Sequence, residues 1–144
     1  MVRRLIRTLS LLGAIAVVAT GCKASVSVET GPRYDKATVV ADLTLAEPTD
    51  AFIVDAEEVV VVYEAVDLTV GTVLKAVWIA VNAEGVSPDY VIDEATKTID
   101  AAGDFSGYFS LTRPDNGWPP GDYRVDLYIG AEALESLTFT IGVE

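Results

Sequence analysis

Along most of the chain, apolar and polar residues alternate one for one. In "EEVVVVYEAV" a period of two puts Val59, Val61, Tyr63 and Ala65 on one face and Glu58 and Glu64 on the other. In "DYRVDLYI", Tyr123, Val125, Leu127 and Ile129 share a face, and Arg124, Asp126 and Tyr128 share the opposite one. The same reading of "ATVVADLTLA" groups Val39, Ala41, Leu43 and Leu45. Further strands are predicted in "TVLKAVWIAVNA" from Thr72, "DYVIDEATKTIDAA" from Asp89, "DFSGYFSLT" from Asp104 and "ESLTFTIGV" from Glu135. Valine dominates several of these runs, and a branched Cβ favours a pleated strand over a helix.

Turn-forming residues separate the runs, at "EPTD" (47–50), "VGT" (70–72), "AEGVSPD" (83–89), "AAGD" (101–104), "RPDNGWPPGD" (113–122) and "GAEA" (130–133). Pro119 and Pro120 cannot donate to a β-ladder, so they bar any strand before Gly121 and fix where the last hairpin begins. About seven short strands at this spacing predict an all-β fold, a single antiparallel sandwich over residues 38–144. The preceding "KASVSVETGPRYDK" lacks a sustained period and contains a Gly-Pro pair, so residues 22–37 read as a tether.

Gly121, Tyr123 and the apolar Val125 resemble the tyrosine corner of immunoglobulin-like sandwiches, in which the tyrosine hydroxyl bonds back to the connecting loop. Trp78, in the strand from Thr72, resembles the buried tryptophan of that fold. Val125 stands where antibody domains carry a cysteine, so the resemblance is to a disulfide-free, fibronectin type III-like relative. The "WPPGDYRV" lead-in with the final "LESLTFTI" hairpin is similar to an immunoglobulin-like domain of many bacterial and archaeal lipoproteins. In that pattern Phe52 to Trp78 supplies a strand pair around a Gly-Thr turn, and the similarity covers most of residues 38–143. It implies Trp78 and Tyr123 in one core near Phe109, Leu127 and Phe139. It implies little about activity, because such sandwiches host unrelated functions.

The N-terminal "MVRRLIRTLSLLGAIAVVATGC" carries Arg3, Arg4 and Arg7 ahead of an apolar run from Leu11 to Ala19, the pattern of a secretory signal peptide over residues 1–21. The run is too short for a permanent membrane-spanning helix. "VATGC" resembles the lipobox of bacterial lipoproteins, with Ala19, Thr20 and Gly21 in the small positions. The resemblance implies that Cys22 receives a diacylglycerol, that cleavage precedes it, and that the new N-terminus is acylated. Cys22 is the only cysteine, so no disulfide can form within the chain. The expected address is the cell envelope, with the membrane engaged through the N-terminal lipid. Lys23 resembles the signal for onward transfer to an outer membrane where a cell has one, the alternative being the outer face of the cytoplasmic membrane.

Removing residues 1–21 leaves 123 residues, enough for one domain with a core. Seven basic residues then face 22 acidic ones, a net charge of −15, which repels nucleic acid and anionic lipid. The chain has no histidine, which excludes Ser-His and Cys-His nucleophilic sites and zinc sites built on His. No phosphate-cradling motif appears, and no cofactor is implied. Carboxylates remain, in "VDAEEV" (Asp55, Glu57, Glu58), "DYVIDE" (Asp89, Asp93, Glu94) and the loop holding Asp115, Asn116 and Asp122. None has EF-hand spacing, although each set could offer oxygens to calcium, the loop set being the site candidate, and paired carboxylates can run glycoside hydrolysis. Asp115-Asn116-Gly117 is more simply a turn, and Trp118 is better placed to cap the edge of the core than to bind a ligand.

The reading that follows is a non-enzymatic binding or accessory module with an envelope protein partner. The alternatives are a carboxylate-based or calcium-dependent carbohydrate-active enzyme, a carbohydrate-binding module, or a structural spacer. If Leu74, Ala76, Trp78 and Ala80 point inward, Val73, Val77, Ile79 and Val81 form an apolar stripe on the outer face. Arg124 and Tyr128 rim that stripe, and an exposed stripe of this kind is the expected partner face.

Overall fold

The computed structural model describes residues 30–142, which form eight strands and no helix. The signal peptide, Cys22 and the first part of the tether lie outside the described residues. The strands are β1 (Arg33–Val40), β2 (Ala51–Ile53), β3 (Glu58–Leu68), β4 (Val73–Ala83), β5 (Tyr90–Thr98), β6 (Gly103–Thr112), β7 (Gly121–Ile129) and β8 (Glu132–Gly142). They build a three-stranded sheet in the order β1-β3-β6 and a five-stranded sheet in the order β2-β8-β7-β4-β5.

The alternation in the sequence becomes the layer between the sheets. Val59, Val61, Tyr63 and Ala65 of β3 face Leu74, Ala76, Trp78 and Ala80 of β4 and Tyr123, Val125 and Leu127 of β7, all buried. With no disulfide, this layer carries the stability, at roughly 1.5 to 3 kcal/mol for each large apolar side chain fully buried. An aromatic seam runs through it. Tyr123 stacks on Phe139 at 5.4 Å between ring centroids, and Phe139 meets Trp78 and Phe52 edge-on.

Four details depart from the sequence reading. The first strand begins at Arg33, so residues 33–37, assigned to the tether, belong to the strand. Tyr34 is buried and its hydroxyl donates to the Tyr128 carbonyl at 2.9 Å, while a bulge between Tyr34 and Lys36 breaks the alternation that would have shown the strand. Leu43 and Leu45 are exposed and lie beyond β1, because the Asp42 carboxylate accepts the backbone N–H groups of Thr44 and Leu45 and turns the chain. The short β2 runs parallel to β8, so the sandwich is not wholly antiparallel. Finally, β3 and β4 do not pair with each other. The turn through Gly71, which takes a φ of 87°, carries the chain from one sheet to the other.

Registers define the two ends of the sandwich. Arg33 lies opposite Val66, Leu74 lies opposite Ile129, and the Tyr34–Tyr128 bond ties the sheets together there. At the other end Glu58 lies opposite Thr112 and Ala80 opposite Tyr123. The chain passes into β1 at the first of these ends.

Candidate functional site

The residues 114–121 cover the second end. Gly117 closes a turn by donating to the Pro114 carbonyl at 2.8 Å, which delivers Trp118 over the edge of the core. The Trp118 indole N–H donates to the Ala56 carbonyl at 2.7 Å, and its ring meets Tyr123 edge-on at 6.0 Å. The Tyr123 hydroxyl donates to the Pro119 carbonyl, the loop bond of a tyrosine corner. Burial raises the pKa of that hydroxyl, so it stays protonated and able to donate. Trp118 is thus buried over the edge of the core, the capping position its place beside two prolines suggested, and it also lines the groove beside it.

Beside the cap lies a groove of about 240 Å³ walled by Ala80, Val86, Tyr90, Ile92, Trp118 and Tyr123. None of its lining residues carries a charge. Asp89 takes a left-handed φ of 55°, donates its N–H to the Val81 carbonyl at 3.1 Å, and so starts β5 with Tyr90 at the rim. Tyr90 is 55% exposed and neighbouring Val91 is 49% exposed. Ligand pockets usually measure several hundred Å³, on the order of 300 or more, so this groove is smaller than a usual small-molecule site. The sequence reading did not single out Tyr90, Val86 and Ile92. The only signal was the shared parity of Tyr90 and Ile92 at the start of a strand.

The expected partner face takes a different form. Strand parity is as predicted, with Trp78 inward and Val77 and Ile79 outward, but Val77 is only 6% and Ile79 only 7% exposed. Neither belongs to the core between the sheets. Their neighbours on the flanking strands close the stripe: Glu94 and Asp126 flank Val77, and Val91 and Arg124 flank Ile79. Arg124 is held across this face by Asp126 at 3.0 Å, and the Lys75 ammonium sits 4.5 Å from the Tyr128 ring centre. Val81 is half-buried, and Val73, 37% exposed at the far end of β4, is the most open member of the stripe.

The calcium candidates are scattered along the loop. Asp115 and Asn116 sit exposed in the turn, and Asp122 lies on β7 opposite Asn82 and Thr140. Among the described residues no three side chains of His, Cys, Asp or Glu come together in a way that could hold a metal ion. This includes the Asp55-Glu57-Glu58 and Asp89-Asp93-Glu94 groups.

No protein-family model and no curated protein matches the sequence. Solved structures do match the fold. An immunoglobulin-like protein from Pseudomonas aeruginosa superposes with a TM-score of 0.51 at 14% identity, over 79% of this chain and 98% of that one. The fold is immunoglobulin-like. A Pseudomonas fluorescens alkylpurine DNA glycosylase, solved on DNA containing an abasic site analog, matches with a TM-score of 0.56 at 12% identity. A mutant β-glucosidase from Listeria innocua in complex with laminaribiose matches with a TM-score of 0.51 at 14% identity. The similarity takes in 79% and 77% of this chain but only 31% of the glycosylase and 16% of the glucosidase. The sandwich is thus one part of those enzymes, and the likeness is one of fold.

Proposed function

We propose that this protein is a lipid-anchored extracytoplasmic module, without catalytic activity of its own, that binds an envelope protein partner at the end of the sandwich away from its anchor. One observation carries the reading: the chain enters β1 at the end opposite the groove at Trp118 and Tyr90. Cys22, in its lipobox-like setting, precedes Arg33 by eleven residues. Fully extended, those residues reach at most about 40 Å. A lipid on Cys22 would therefore keep the domain within about 40 Å of the membrane, attached at the first end with the groove at the end away from the attachment point. The groove's uncharged lining and small volume suit an apolar side chain of a protein, and the strong negative charge of the chain keeps the domain off an anionic surface.

The first test is the intact mass of the protein recovered from its own envelope. The expected form lacks residues 1–21 and carries a diacylglyceryl group on Cys22, and C22A should be released from the membrane. A photo-crosslinking residue in place of Tyr90 should then capture a discrete envelope protein that the same residue in place of Val70 does not. Val70 is 66% exposed in the turn at the anchor end. An unmodified N-terminus, or equal capture from both positions, refutes the reading.

A further inference from the structure

The four strands at the sheet edges are not protected alike. A free edge presents unpaired N–H and C=O groups to any other strand, and proteins usually blunt it with charge, a bulge or brevity. β2 is three residues long. β1 carries Arg33, Asp35 and Lys36 and a bulge between Tyr34 and Lys36. β5 carries Asp93, Glu94 and Lys97, with a register shift in its pairing to β4. β6 opens on Gly103 and Asp104, with a register shift in its pairing between Ala65 and Leu68, but the rest of its length has none of these devices. From Phe105 to Thr112 it reads "FSGYFSLT", with no charge and no proline, and it pairs with β3 in unbroken register from Ala65 to Glu58.

The register also shows which backbone groups are free. The Arg113 N–H donates to the Glu57 carbonyl at 2.8 Å. Antiparallel bonding alternates along the ladder, so the odd-numbered residues of β6 bond to β3. Ser106, Tyr108, Ser110 and Thr112 turn their N–H and C=O groups to the open edge, and their side chains are exposed on the outer face.

We infer that this edge pairs with the β6 of a second copy of the chain, antiparallel, about a two-fold axis at Phe109. That register places Ser106 opposite Thr112 of the other copy and Tyr108 opposite its Ser110, using all four free residues in about eight hydrogen bonds. The side chains are self-complementary, since each large tyrosine meets a small serine and no two charges oppose. The charged residues at the two ends of the run are engaged within their own chain, Asp104 accepting the Asp67 N–H and Arg113 donating to the Asp55 carbonyl, which leaves the run between them uncharged. In a chain with 22 acidic residues, a run of eight uncharged positions along an open edge lets two copies approach there.

Sedimentation of the full chain in density-matched detergent tests this. At about 100 μM, where interfaces with micromolar affinity are populated, a dimer is expected. S106K/T112K puts lysines face to face at both ends of the pairing and should give monomer. S106E/T112K puts Glu against Lys in the same places and should restore the dimer. Within one chain these positions are about 20 Å apart, so neither variant creates a contact inside the molecule between the new residues. Circular dichroism should show all three proteins folded. A monomeric wild type, a dimer indifferent to S106K/T112K, or loss of the dimer in both variants overturns the proposed pairing.

Discussion

The join of "WPPG" to "DYRV" is the residue-scale centre of the molecule. Gly121 has a φ of 154° and lies so close to β4 that an added Cβ would come 2.3 Å from the Asn82 carbonyl oxygen and 2.5 Å from the Ala83 Cα. Backbone fills that space, and no side-chain movement can relieve the clash. Two residues later the Tyr123 hydroxyl binds Pro119. In urea denaturation Tyr123→Phe should lose about 0.5 to 1.5 kcal/mol, the net worth of one hydrogen bond. Gly121→Ala should lose more, about 2 to 3 kcal/mol, because it combines strain with displacement of a paired strand. Equal losses would mean that the two residues act as one unit. The sequence showed the corner because tyrosine, glycine and two prolines each have a local reason to be there. It could not show that Gly121 is pressed against Asn82, because that contact depends on how β7 and β4 meet.

At the scale of the element, β4 shows why parity is easier to read than exposure. The alternation of Leu74, Ala76, Trp78 and Ala80 against Val73, Val77, Ile79 and Val81 gives the faces correctly. Whether the outer face is open depends on Arg124, Asp126, Glu94 and Val91, which lie on strands far away in sequence. The V77T/I79T double variant therefore places two hydroxyls among closed neighbours. It should destabilise the domain by about 2 to 4 kcal/mol, read from the shift in urea midpoint. A change below about 0.5 kcal/mol would put these side chains in water. β1 and β2 escaped the pattern for related reasons, one through its bulge and the other through its length of three residues. The groove was illegible because its walls come from β4, β5, β7 and two loops.

For the whole molecule, the layer between the sheets sets its response to alkali. Burial raises the pKa of Tyr34 well above the ordinary value, with Tyr63 beside it adding to the effect, and burial raises that of Tyr63 to about 12. Below about pH 10 both residues are protonated in the folded and unfolded chains, and their contribution is complete. Above it the unfolded chain ionises first, so stability falls as pH climbs toward the folded values. The urea midpoint should drop between pH 10 and 12, by roughly 1 to 2 kcal/mol for Tyr63 alone, and Tyr63→Phe should flatten the slope. A midpoint constant over that range would show that these tyrosines ionise freely in the folded chain. The same arrangement determines how the domain takes a mechanical load. β1 runs from the Arg33 end of the sandwich to the groove end, bonded along β3 from Arg33 to Val40. If the proposed lipid anchor and partner are both engaged, a tug between them acts along the strands, with the β1–β3 hydrogen bonds lying across the line of pull. Those bonds are strained together in shear and cannot open one after another like a zip. Under that proposed load β1 would serve as a tension-bearing strap.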